Sequence, residues 1–131
     1  MNEDKKQYIL QWISKARQDM IAAEKLLDDN SLTLAGIIGF HCQQSVEKFL
    51  KAFLVFKDFD FLRTHNLEEL RDKCGEYDAD FLKMDYFDLT DYAVDYRYPN
   101  DEFNPEMNEV ENYYNLVIAT KELVLNKIRL N

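Results

Sequence analysis

The residues of this chain best suited to chemistry lie in one run, GFHCQQSVEKFLKAFLVF, at 39–56. Read as a helix at about 100° per residue, His41, Gln44, Lys48 and Lys51 fall within an arc of about 80°, while Cys42, Val46, Phe49, Leu50 and Phe53 take the other side. Two ammonium groups, an amide that donates and accepts, and an imidazole that titrates near neutrality are suited to hold phosphate oxygens and the edge of a base. An ordinary solvated stripe on a surface helix has the same composition, and spacing leaves both readings open. Arg63 and Arg97 fall in breaks between helical segments, where a guanidinium can converge on the line from His41 to Lys51 and favour a ligand phosphate. His65, between Thr64 and Asn66, either fixes a helix start through backbone hydrogen bonds or joins that site. Arg97 has a parallel alternative, bonding the carbonyls at a helix end or pairing with a nearby Asp. The ligand reading expects a concave site lined by His41, Gln44, Lys48, His65 and Arg97.

Other chemistries find less support. Asp85, Asp88, Asp91 and Asp95 form an acidic strip on a predicted helix, but successive turns spread carboxylates too far for one ion, and no His stands nearby. A solvated or partner-facing surface is the expectation. Tyr86, Phe87, Tyr92, Tyr96, Tyr98, Tyr113 and Tyr114 could stack bases, yet their helical spacing suits core and dimer packing better. Gly36, Gly39 and Gly75 make no phosphate-cradling loop, and no Ser-His-Asp arrangement stands out. No metal and no cofactor is expected.

The elements that must position these residues follow from apolar periodicity. Ile9, Ile13, Ala16, Met20, Ala23 and Leu27, widened by Trp12 and Leu26, predict a first helix over 8–27. After a polar break at 28–31, Thr33 is a plausible N-cap for a second helix reaching Phe56. Asn66 with Glu69 three residues later is a variant capping box, predicting a short third helix that fades near Gly75. Leu82, Tyr86, Leu89 and Ala93 predict another helix over 80–96, which must stop before Pro99. Asn104, Pro105 and Glu106 signal a restart. The last helix then carries Met107, Val110, Tyr114, Val117, Val124 and Ile128 on a seam whose polar member is Lys121. The predicted fold is all-α, an antiparallel up-and-down four-helix bundle with one additional short helix.

Composition agrees. The 131 residues suit one domain, 1–131. Three Gly and two Pro leave few tight turns, and 47% apolar content supplies a core, so an all-β fold is disfavoured. Eighteen aromatic residues (nine Phe, eight Tyr, one Trp) exceed what one small bundle needs to cover, which predicts a homodimer through a helical face. A net charge of −9 repels phosphate backbones and disfavours nonspecific coating of nucleic acid. No apolar run approaches the 18 or so residues that span a bilayer, and MNEDKKQYIL lacks the features of a signal peptide, so a cytoplasmic chain without a membrane partner is expected. Cys42 and Cys74 form no CxxC pair, which suits free thiols in a reducing compartment.

The run FHCQQSVEKFLKA at 40–52, then Arg63-Thr64-His65-Asn66-Leu67, then Tyr96-Arg97-Tyr98-Pro99, resembles the HEPN domain family in order and approximate distance. The likeness extends from Trp12, Ala16 and Asp19 to the last helix. It implies a helical bundle, commonly homodimeric, found in prokaryotes beside small nucleotidyltransferase proteins and in toxin–antitoxin or defence systems. The resemblance also implies a nucleotide or RNA ligand. Many members of the wider superfamily are metal-independent ribonucleases with an Arg followed after four to six residues by His. Here the residues at those gaps after Arg97 are Glu102, Phe103 and Asn104, so the motif is incomplete, and a ribonuclease would have to draw on His41 or His65. The expectation is therefore an accessory module, with two alternatives: an unorthodox metal-independent endoribonuclease, or an interaction scaffold whose acidic face docks a basic partner.

Overall fold

The computed structural model describes residues 1–59, 63–93 and 105–130. Helix α1 spans Glu3–Asp28, α2 Ala35–Phe56, α3 Leu67–Tyr77 and α4 Met107–Lys127, with short 3-10 turns at Leu32–Leu34, Ala79–Lys83 and Leu89–Ala93. The chain forms the all-α helical bundle that its periodicity predicts.

Helix α1 starts five residues before the predicted boundary, because the Asn2 side chain accepts a hydrogen bond from the Lys5 amide and Glu3 and Asp4 face the positive end of the helix dipole. It ends where Asn30 takes a left-handed φ of 51°. Ile9, Ile13, Ala16, Met20 and Ala23 are buried, as their spacing requires. Thr33 is not the cap of α2. It lies inside the 3-10 turn, and α2 begins at Ala35 without a side-chain cap. What α2 lacks in capping it makes up in burial: Ile38, Cys42, Val46, Phe49, Leu50, Phe53 and Leu54 are fully enclosed, and so is Gln43. A helix covered on most sides is a central helix.

Helices α1 and α2 are antiparallel. Asp19 meets His41, the Ala16 carbonyl accepts from Ser45 Oγ at 2.8 Å, and Lys5 pairs with Asp58 at 2.8 Å, so numbers fall along one helix as they rise along the other. Helix α3 runs alongside α2 in the same direction, since His65 lies by Glu47, Cys74 by the Leu50 carbonyl and Tyr77 by Phe59. Its predicted cap is present, with Asn66 Oδ1 accepting from the Glu69 amide at 3.0 Å.

The predicted helix over 80–96 is, as far as Ala93, two 3-10 turns joined by a bend; its last residues lie outside the described ones. The buried residues are Phe81, Tyr86, Leu89 and Tyr92, while Leu82 is 54% exposed. Tyr86, Leu89 and Tyr92 recur every three residues, the 3-10 period. Asp78 accepts from the Asp80 amide and Asp85 from the Phe87 amide, so both carboxylates close local turns that compete with an α-helix. This segment returns the chain along the bundle: Phe81 packs on Phe53 with ring centroids 4.4 Å apart, and Tyr92 lies on Gly39.

The restart at Asn104 lies outside the described residues; α4 has Glu106 as its N-cap residue, with Pro105 before it. Its buried seam is Val110, Tyr113, Val117, Thr120 and Val124. Tyr113 replaces the predicted Tyr114, and the polar member is Thr120 instead of Lys121. Thr120 is accommodated because Tyr86, wholly buried, places its hydroxyl 2.8 Å away. The chain's central glycines give a matched test. A Cβ at Gly39 would come within 2.6 Å of the Tyr92 ring, which is packed edge-on against Tyr113, whereas one at Gly36 meets nothing within 4 Å. Gly36→Ala should raise stability by about 0.5 kcal/mol and Gly39→Ala should lower it by about 1–2 kcal/mol, read as urea midpoints at constant slope.

Candidate functional site

The polar line on α2 is organised by two carboxylates. On the α1 side, Asp19 Oδ1 lies 2.9 Å from His41 Nδ1, and Oδ2 accepts from Lys48 Nζ. Its side chain is 14% exposed, against 27% for His41 and 23% for Lys48. Burial alone would raise the Asp19 pKa; the hydrogen bonds and charges of His41 and Lys48 outweigh it and hold the carboxyl below its ordinary 3.8.

On the side of α3, Glu47 is buried. Its Oε1 lies 2.9 Å from His65 Nδ1 and accepts from Gln43 Nε2 at 3.3 Å, while its Oε2 accepts from Lys51 Nζ at 3.0 Å. Glu47 and Lys51 side chains are 5% and 7% exposed, so neither charge is substantially hydrated. Gln43 also donates to the His65 carbonyl at 2.9 Å, which fixes the entry to α3. Lys51 Nζ stands 5.7 Å from the centre of the Trp12 ring. Gln44 extends this group, donating to Gln43 Oε1 at 2.7 Å.

Both histidines are held at Nδ1 by a carboxylate. A carboxylate only accepts, so Nδ1 carries the proton and Nε2 is the acceptor of the neutral ring. The His65 side chain is 64% exposed although its partner Glu47 is buried. This carboxylate–imidazole pairing can orient a ring toward a ligand or toward a proton to be moved.

The sequence-predicted residues are therefore partly united. On α2, His41 and Lys48 meet on Asp19, while Gln44, Lys51 and His65 belong to a second group around Glu47 and Gln43, the two together making up the polar cluster. Arg63 does not join it. It lines a hollow of about 850 Å³ with Lys5, Tyr8, Asp58 and Phe59, formed by the start of α1 and the segment after α2. Arg97 lies outside the described residues. The predicted phosphate cradle also needs revision in its electrostatics, because Lys48 and Lys51 are each spent on a carboxylate. Asp19, Gln43 and Glu47 were not among the predicted site residues. The available signal was Gln43, Glu47 and Lys51 at intervals of four, with Glu preceding Lys as helix pairs prefer. Among the described residues, no three His, Cys, Asp or Glu converge as a metal-binding group.

With this geometry established, the family comparison bears on it directly. The family model of the HEPN domain matches residues 9–128, which takes in both carboxylates, both histidines and all of α2 and α3. The chain belongs to the HEPN domain family. Membership points to a function related to nucleotides or RNA. No curated protein and no solved structure gives a significant match. Among the described residues of this HEPN domain, no helix is long and apolar enough to cross a membrane.

Two stability predictions follow from the cluster. Glu47→Leu leaves Lys51 charged, nearly dry and without its carboxylate, and should cost about 3–5 kcal/mol in urea unfolding; Glu47→Leu combined with Lys51→Met should recover most of that loss. Ionised Asp19 stabilises the fold above about pH 4, and this contribution falls away as pH drops through the depressed folded-state pKa. Acid unfolding should therefore show a steeper loss below pH 4 in the native sequence than in Asp19→Asn, read by circular dichroism.

Proposed function

We propose that this HEPN domain is an accessory module that holds a nucleotide or a nucleic-acid-derived ligand weakly at the surface of His41, Gln44 and Lys48, with His65 beside it. It acts with a separate small nucleotidyltransferase in a toxin–antitoxin or defence-type system, in the cytoplasm and as a homodimer. The observation that supports this reading is the pairing of Lys48 with Asp19 and Lys51 with Glu47. A ligand phosphate must compete with carboxylates already in place, so affinity is modest, while the imidazoles and the Gln44 amide remain suited to a base or sugar edge. Leu10 and Ile21, 38% and 49% exposed and eleven residues apart on one side of α1, support a face for self-association.

A ribonuclease reading has one observation in its favour, the exposed His65 ring held at Nδ1 by buried Glu47. RNA cleavage in EDTA that disappears in folded His65→Ala or Arg97→Ala protein would establish it. For the accessory reading, thermal unfolding with ATP, GTP and short RNA is the test. A ligand at 100 times its dissociation constant adds about 2.7 kcal/mol. The native protein should shift upward with at least one of these, and His41→Ala should lose the shift; no shift with any of the three removes the ligand site.

A further inference from the structure

On the other side of the bundle, the 3-10 segment and α4 enclose a hollow of about 550 Å³ lined by Phe87, Asp88, Glu109, Tyr113 and Leu116 among others. Its floor is apolar. Tyr113 is buried and donates its hydroxyl to Asp88, so its polar end is already satisfied. Phe87 stands at the rim, 70% exposed and at a left-handed φ of 52°. Both features are costly for a large aromatic residue, through water contact and through backbone sterics. The turn that Asp85 closes holds this backbone, and it leaves the Phe87 ring uncovered by the described residues.

The charge around this hollow has one sign. Segments 84–93 and 105–116, which form its two walls, carry Asp85, Asp88, Asp91, Glu106, Glu109 and Glu111 and no Lys or Arg. Over the whole stretch 84–116 the sequence has Arg97 alone against nine acidic residues. A low-dielectric floor flanked by Asp88 and Glu109, with further acids and no base on the same two segments, concentrates a negative potential that attracts cations and repels phosphates. An apolar residue flanked by Lys or Arg satisfies both parts, since its hydrocarbon covers Phe87 and Leu116 and its cationic neighbours reach Glu109 and Asp88.

We propose that the hollow between Phe87 and α4 is a docking site for a basic segment of a partner protein, one that inserts an apolar side chain beside Phe87 and sets Lys or Arg against Glu109. The site is separate from the polar cluster on α2, so it stands whether or not that cluster binds a nucleotide. The test uses a fluorescein-labelled 15-residue peptide with Lys and Leu at helical spacing and a counterpart with Glu in place of each Lys, followed by anisotropy on the full chain. The Lys peptide should bind saturably and weaken about tenfold or more between 50 and 500 mM salt. Phe87→Ala and Glu109→Gln should each loosen it at least about fivefold, and Asp72→Asn, an exposed acid on α3, should leave it unchanged. Circular dichroism of each variant checks that it is folded, and both substituted side chains are at least partly exposed. The proposal is overturned if the Lys peptide does not saturate, if the Glu peptide binds as well, or if folded Phe87→Ala and Glu109→Gln bind like the native protein. It is equally overturned if sedimentation shows a dimer that Phe87→Ala dissociates, because a second copy would then be the occupant.

Discussion

The charge of Glu47 has little access to bulk water, and much of this structure is arranged around that fact. Helix α2 is enclosed by α1, α3, α4 and the 3-10 segments, so a carboxylate at its centre must find its partners inside the protein. Lys51 comes from the next turn, Gln43 from the previous one, and His65 from the segment that leads into α3. The same contacts place the carbonyl of His65, one residue before the Asn66 cap, on Gln43 and thereby fix the entry to α3. Trp12 of α1 closes over the Lys51 ammonium. Three elements thus take their positions from one buried ion pair and the hydrogen bonds that complete it. A well-packed apolar pair could stabilise the fold as much, but it would not hold the His65 imidazole in a defined orientation.

How much of this was legible in the sequence depends on what carried the signal. The stripe from Ile9 to Ala23 and the apolar side of α2 were readable because burial against a single face imposes a period near 3.6. The Asn66 cap was readable because the chemistry is local. The run over 80–96 was misread for a physical reason: Leu82, Tyr86, Leu89 and Ala93 match helical spacing as well as Phe81, Tyr86, Leu89 and Tyr92 match the structure, and only the Asp78 and Asp85 side-chain bonds decide between them. On α2, His41, Gln44, Lys48 and Lys51, with His65 beyond it, stand out in the sequence by residue type and spacing, and the structure gives each a polar partner. Asp19 and Glu47 were passed over, although without them those groups could not share a crowded helix. Arg63 was misplaced because position in a break between helices says nothing about which end of the bundle the break occupies.

The distribution of charge separates two regions with different capacities. Around α2 each lysine is matched to a carboxylate, so the cluster is close to neutral and relies on directional hydrogen bonds. Between the 3-10 segment and α4 the acids go unmatched by any nearby base in the described residues, and the chain's overall negative charge is concentrated there. A small polar molecule suits the first region and a cationic macromolecular surface suits the second. The ligand and the basic partner proposed above therefore call on separate sets of residues.

Both cysteines are fully enclosed, Cys42 in the middle of α2 and Cys74 near the end of α3, and burial pushes both thiols well above their usual range. Thiolate, the reactive form, is therefore scarce at each position as long as the helices stay together. Mild oxidants and alkylating reagents have no route to sulfur in the closed protein. The rate at which such a reagent consumes the two thiols becomes a clock for spontaneous opening, with one hand on the centre of the bundle and the other on its short helix.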